Sequence, residues 1–458
     1  MEYRIEKDTL GEIEVAAERL YGAQTERSRR NFKIGRGHEL MPREIIEAFA
    51  ILKRSAARAN RQLLPKKMTE EKLSLIEEAT EKILNGELSM EFPLVVFQTG
   101  SGTQTNMNVN EVIAGYAKRR TGTDFIHPND DVNMSQSSND TFPTAMHIAA
   151  LISIKNRLLP SLSRLIEEFR RLEDENQGII KCGRTHLQDA TPLSFSQEIS
   201  GWRASLEYDL KAIEESAQGL SRLALGGTAV GTGINAPHGF DRLVAEEISR
   251  DVGIEFVTEP NKFHALTSKS ELTAVHGAIK ALACDLMKIA NDVRWLASGP
   301  RCGLGEILIP ENEPGSSIMP GKVNPTQCEA MTMVSVQVMA NDVAVGFAAA
   351  SGNFELNVFM PVCIYNFLQS VRLLSEAIDS FRENCVWGIV PNREKMAENL
   401  DKSLMLVTAL TPHIGYEKSA EVAKLAHKEG LTLKAAALKL GYLDEKTLNE
   451  ALRPEKMI

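Results

Sequence analysis

One short run holds the residues of this chain best suited to chemistry: Gly315-Ser316-Ser317-Ile318-Met319-Pro320-Gly321-Lys322-Val323-Asn324-Pro325. Proline removes N–H donors and glycine adds backbone freedom, so the run predicts a polar loop leading into the apolar helical stretch from Thr326. Such a loop can bring a reactive hydroxyl and a cation against an anionic substrate and close over it. The plainer alternative is a surface turn in which Ser316 caps a helix. Glu329, about a turn into the following helix, is placed to orient an imidazole.

Three further polar islands interrupt apolar helical patterns. Thr99-Gly100-Ser101-Gly102-Thr103-Gln104-Thr105-Asn106-Met107-Asn108 offers hydroxyls, amides and backbone N–H groups to a carboxylate or phosphate. It lacks the Gly-Lys-Ser/Thr ending of a phosphate-binding P-loop. His127-Pro128-Asn129-Asp130-Asp131-Val132-Asn133, running on to Ser137-Ser138-Asn139-Asp140, raises a metal site. Its spacing fits no zinc pattern and no histidine pair stands at i, i+4, so no metal is expected. Gly183-Arg184-Thr185-His186-Leu187-Gln188-Asp189-Ala190-Thr191-Pro192 sets an imidazole among hydrogen-bonding residues in a loop, either a proton carrier near neutral pH or a satisfied structural histidine. The glycine-rich run 226–235 does not match G-x-G-x-x-G after a strand, which rejects a dinucleotide site.

The elements that must position these islands are mainly helices. Leu272, Ile279, Leu286 and Val293 recur every seven residues, and Val275, Leu282, Ile289 and Leu296 follow three residues behind, which predicts a bundle helix over 267–297. Further long helices are expected at 141–174, 194–222, 326–350 and 355–388, with Pro160 and Pro361 bending the first and last. Shorter ones are expected near 42–64, 69–85, 105–119, 392–401, 415–429, 431–440 and 444–451. The fold class is therefore mainly α. A small N-terminal domain (1–137), a long central bundle (138–390) and a small C-terminal helical domain (391–458) make up the chain.

The 458 residues, 43% hydrophobic and 25% charged, describe an ordinary globular protein too long for one core. A formal net charge of −9 argues against nucleic acid as partner and requires a locally positive pocket for any anionic substrate. Six scattered cysteines without a C-x-x-C pair suit reduced thiols in a cytoplasm. The N-terminus lacks the apolar core of a signal peptide, and no unbroken apolar run of membrane-spanning length is present, so no membrane association is expected.

The strings TGSGTQTNMN, HPNDDVNMSQSSND, GRTHLQDATP and GSSIMPGKVNPTQCEA occur in the order seen in class II fumarases, and Leu20-Tyr21-Gly22-Ala23-Gln24-Thr25 resembles that family's opening. Over essentially its whole length the chain resembles these members of the fumarase/aspartase superfamily. Val15-Ala16-Ala17-Glu18 departs from the usual opening, at positions without a catalytic role. Aspartate ammonia-lyases are similar throughout but usually carry Gln at the place of His186 and Ala at that of Gly321, so both residues side with the fumarases.

The resemblance implies reversible hydration of fumarate to L-malate through a dianionic aci-carboxylate carbanion, without metal or other cofactor. Ser316 would take the C3 proton of malate, and His186, oriented by Glu329, would handle the proton of the departing or arriving water. Lys322 and Asn324 would clamp carboxylate oxygens, joined by Ser101, Thr103, Ser137, Ser138, Asn139 and Thr185. His127, Asn129 and Asp130 would form a secondary, non-catalytic anion site. The islands lie at different ends of long helices, and the family's answer is a homotetramer, assembled through the bundle, in which three subunits contribute to each site. The rival readings are an aspartate ammonia-lyase or other fumarate-yielding lyase, and a silent helical oligomer on the same scaffold.

Overall fold

In the computed structural model, which describes residues 2–458, a hairpin of β1 (Tyr3–Asp8) and β2 (Gly11–Ala16) precedes α1 (Ala23–Asn31), α2 (Arg43–Leu63), α3 (Glu70–Leu84), α4 (Thr103–Thr121) and α5 (Ser138–Ser153). Next come α6 (Leu159–Glu175), a second hairpin of β3 (Ile180–Thr185) and β4 (Gln188–Ser194), α7 (Phe195–Ala217), α8 (Phe240–Val252) and α9 (Lys262–Thr267). The long α10 (Ser270–Leu296), α11 (Thr326–Ala350) and α12 (Met360–Asn384) follow, and then short helices to the C-terminus. The fold is a mainly α helical bundle. Every member of the two heptad series on α10, from Leu272 to Leu296, is buried, as a seam that faces other helices requires.

The two prolines act differently. Pro160 follows a π-helical turn, Ile154–Leu158, that joins α5 to α6. Its ring offers no N–H to the carbonyl four residues back and pushes that carbonyl aside, so the helix widens there. Pro361 does not bend a helix starting at 355. It lies in the first turn of α12, where an N–H has no intrahelical partner, while the preceding residues form a tight two-residue β pairing.

Packing groups the chain into two units. The first comprises residues up to 160, 211–283 and 336–375. Within it α2 packs on α3, α5 and α8, and Phe49 meets Phe142 with ring centroids 5.9 Å apart. A buried polar tie holds three of its helices in register. His276 on α10 bonds Asp342 of α11 through Nδ1 (2.9 Å) and Ser370 of α12 through Nε2 (2.9 Å), and the Asn341 amide also donates to Ser370 (3.0 Å). Each polar group has a partner, so burial is not penalised by a lost hydrogen bond.

The second unit comprises 161–210, 284–335 and 376–458. Here Trp202 of α7 donates to Asp292 of α10 (3.0 Å), with Phe169 and Phe195 edge-on to its ring. The C-terminal segment carries its own apolar cluster, including Leu406, Leu410, Val422, Ala436 and Leu448.

By length and composition α11 is apolar enough to cross a membrane. Polar residues such as Asn341 and Asp342 break the run, which is why a search for uninterrupted apolar sequence passes over it. Met333, Val336, Val343 and Phe347 on this helix are exposed in the single chain.

Candidate active site

In the first unit, two islands meet at the N-terminal ends of α4 and α5. Gly102, at φ +72°, starts α4 in a left-handed conformation, and a Cβ there would stand 2.0 Å from the Phe142 ring. Only glycine fits such a close approach. The Ser101 and Thr103 hydroxyls bond each other at 2.8 Å. Ser137 caps α5 through a reciprocal capping box with Asp140, and its Oγ accepts from Asn139 N at 3.2 Å. Asn106 of α4 donates to Ser138 Oγ (2.9 Å), which ties the first island to the second.

The glycine-rich run rejected as a nucleotide site serves this corner instead. Gly226 N and Thr228 N donate to the buried carboxylate of Asp140 (3.0 and 2.9 Å), and Asn139 donates to Ala229 O (2.8 Å). Burial pushes the Asp140 carboxyl up to about 6, against those N–H donors and the nearby Lys53. From sequence Asp140 is one member of the second island and Lys53 stands outside every island, because burial decides both roles.

Exposed His127 caps a π-helical turn, Pro128–Val132, on which Asn129 and Asp130 are exposed as well. His127 Nδ1 accepts from Asn129 N (3.3 Å) and Asp130 N (3.1 Å), while buried Asp131 holds the backbone through His127 N (2.9 Å). His127 and Asn129 line a groove of about 670 Å³ together with Arg4, Lys118 and Arg119. Ser101, Thr103 and Ser137 to Asn139 do not line it, so the unit separates the secondary anion residues from the hydroxyl corner.

In the second unit His186 is not in an open loop. It sits at the tip of the β3–β4 hairpin, where Thr185 pairs with Gln188 and leaves His186 and Leu187 as a two-residue turn. Both have positive φ, +57° and +60°, the pattern of a type I′ turn, which usually holds Asn-Gly. A histidine in this conformation is strained, so the hairpin beneath must hold it. Arg184 bonds Glu306 at 3.0 and 2.5 Å, Lys181 approaches the same carboxylate at 3.2 Å, and Asn399 donates to it at 3.0 Å. Burial alone would raise the Glu306 carboxyl, but Arg184 and Lys181 outweigh it and hold the group below its ordinary range.

The loop 315–325 is closed at its neck. Gly315 N donates to Lys322 O (2.8 Å), and the Asn324 amide donates to Gly315 O (2.7 Å). A Cβ on Gly315 would lie 2.5 Å from Lys322 O. Ser316 Oγ accepts from two loop N–H groups, Ile318 at 3.2 Å and Met319 at 3.0 Å. Glu329 stands exposed on the first turn of α11. Among the described residues, no hydrogen bond or ion pair joins Glu329 to His186, no carboxylate pairs with Lys322, and no group of three or more His, Cys, Asp or Glu could hold a metal. Thr185, His186, Ser316, Lys322, Asn324 and Glu329 thus belong to one unit, and Ser101, Thr103 and Ser137 to Asn139 to the other.

A family model described as "Lyase" matches residues 11–340, and one described as "Fumarase C C-terminus" matches 406–458. The chain is 60% identical to a class II fumarate hydratase of Bacillus subtilis, over all of this chain and 99% of that protein. The chain belongs to the class II fumarate hydratase family. A Helicobacter pylori member is likewise 60% identical over the whole chain. Among solved structures, the class II fumarase of Schistosoma mansoni superposes with a TM-score of 0.97 at 41% identity, covering all of this chain and 99% of that one. A fumarate lyase:delta crystallin of Brucella melitensis, bound to cobalt, reaches 0.93 at 41% identity, with the same coverage. As a member of this family of hydro-lyases the chain is an enzyme, and its C-terminal match falls on the segment with the separate apolar cluster.

Proposed function

We propose that this enzyme hydrates fumarate to L-malate, reversibly and through a carbanion whose charge moves onto the neighbouring carboxylate. The observation that carries the reading is Ser316: its Oγ already accepts two backbone N–H bonds, in a loop whose Lys322 ammonium has no carboxylate partner among the described residues. A serine hydroxyl is a very weak acid, and two N–H donors with a nearby cation favour the alkoxide that must take the C3 proton. His186, paired with Glu329 of another subunit, handles the proton of the water. Lys322, Asn324 and Thr185 take carboxylate oxygens from one side, and Ser101, Thr103, Ser137, Ser138 and Asn139 from the other. Preorganised donors of this kind supply the main stabilisation of the aci-carboxylate. His127, Asn129 and Asp130 hold a second anion without catalysing. The reaction needs no cofactor in this reading.

Mixing purified enzyme with fumarate tests it. The ultraviolet absorbance of the double bond should fall in buffer alone, with L-malate appearing. A fall only with ammonium present would make the enzyme an ammonia-lyase, and no fall at all would leave other lyase substrates or a silent scaffold.

The enzyme is read as a homotetramer with each site built by three subunits. The exposed Met333, Val336, Val343 and Phe347 of α11 support this, since apolar side chains in such number ask for cover. Light scattering should give a mass near four times 50.5 kDa, and a monomer with full activity would refute the shared site. Buried, unpaired cysteines such as Cys328 and Cys363 support a cytoplasmic location.

A further inference from the structure

Lys53 lies on α2, outside every sequence island, yet it is fully buried beneath the corner formed by α4 and α5. A buried ammonium ordinarily has a carboxylate against it. This one donates instead to neutral amide oxygens, Asn133 Oδ1 and Gln136 Oε1, both at 3.0 Å. Asn133 Oδ1 is a hub, accepting also from Asn106 Nδ2 (3.1 Å) and Asn110 Nδ2 (3.3 Å). Asn106 Nδ2 in turn donates to Ser138 Oγ at 2.9 Å. A continuous hydrogen-bonded path therefore runs from the Lys53 ammonium through two asparagines to the first residue of α5.

The charged group facing Lys53 is Asp140 on α5, and its oxygens are taken by Ser137 N, Gly226 N and Thr228 N. The centroid of the Phe49 ring also stands 5.9 Å from Nζ. Asp140 offsets the ammonium only from a distance, since no hydrogen bond among the described residues joins the two, and Lys53 stands behind a helix N-terminus that already favours anions. On a chain with a net charge of −9, that is the local field a dianion needs.

We propose that Lys53 is a positioning residue for the hydratase reaction: it holds Asn133, Asn106 and Ser138 in place and supplies the buried positive charge that attracts a substrate carboxylate to the start of α5. The inference rests on the reading that Ser138 and Asn139 take such a carboxylate. Burial brings the Lys53 ammonium down to about 7, opposed by Asp140. A second carboxylate arriving at α5 adds to that opposition, so substrate binding keeps the lysine protonated.

The test compares wild type, Lys53→Met and Asn133→Asp by steady-state kinetics with fumarate, with thermal unfolding measured alongside. Lys53→Met removes the charge and keeps the bulk. Asn133→Asp keeps the lysine but pairs it with a carboxylate, so it remains informative if the first variant does not fold. Both should raise KM tenfold or more while kcat stays within about threefold. A folded Asn133→Asp enzyme with wild-type KM overturns the proposal, as does a Lys53→Met enzyme that loses kcat and keeps KM. A wild type that leaves fumarate unchanged overturns the hydratase reading and this one with it, whereas an active wild type matched in KM by both variants overturns this one alone.

Discussion

Replacing Ser316 by alanine is expected to lower turnover of fumarate about a thousandfold or more, the scale of a lost general base, while the protein stays folded. Among the described residues the Ser316 hydroxyl bonds the N–H groups of Ile318 and Met319 alone, in a loop where residues 317–323 are exposed. Removing it frees two donors that water can reach, so the thermal midpoint should barely move, by the fraction of a kcal/mol usual for an exposed site. The measurement pairs initial rates with exchange of the C3 hydrogen of malate in deuterated water. If Ser316 is the base, both fall together. If exchange persists at the wild-type rate, the proton leaves to another group, and His186 takes over the role.

Much of this site was legible because polar islands stand out against helical periodicity. The heptads of α10, the caps around Ser137 and the loop before Thr326 all follow from local rules, and the elements appear within a few residues of their expected bounds. The hairpin under His186 did not show. Its two-residue turn is His186-Leu187 rather than Asn-Gly, so the chain lacks the usual turn signal, and the strand leading into it is tied to Glu306, far away in sequence. Asp140, Lys53 and Glu306 share a second difficulty. Each is an ordinary charged residue in sequence, and its role comes from burial beside particular partners. Residues distant in sequence supply those partners, as Arg184 and Asn399 do for Glu306. Pro361 failed as a kink for a related reason, since a helix start depends on where the preceding chain turns.

Glu306 gives the sharpest consequence of that long-range anchoring. Glu306→Ala should destabilise the protein by about 3–5 kcal/mol, the usual cost of breaking a buried charge pair from one side. The carboxylate is fully buried and joins Arg184, Lys181 and Asn399. Without it Lys181, 1% exposed, keeps Glu198 at 2.9 Å, and the Arg184 guanidinium loses the carboxylate it bonds. Strand β3 then loses its tie to Glu306, and His186, two residues on from Arg184, is expected to relax out of its left-handed conformation, so turnover should fall as well. Glu306→Gln keeps the shape and a carbonyl for Asn399 and Arg184, and should cost less. Acid titration separates charge from shape. The folded Glu306 carboxyl lies below its unfolded value of about 4.5, so its stabilisation is present above that value and disappears as pH falls through the lower, folded one. Wild type and Glu306→Ala should therefore differ most in thermal midpoint at neutral pH, and the difference should shrink as pH falls below about 4.5 and through the lower, folded value. A variant as stable as wild type at pH 7, with His186 still active, would show that the strained turn is held by the hairpin alone.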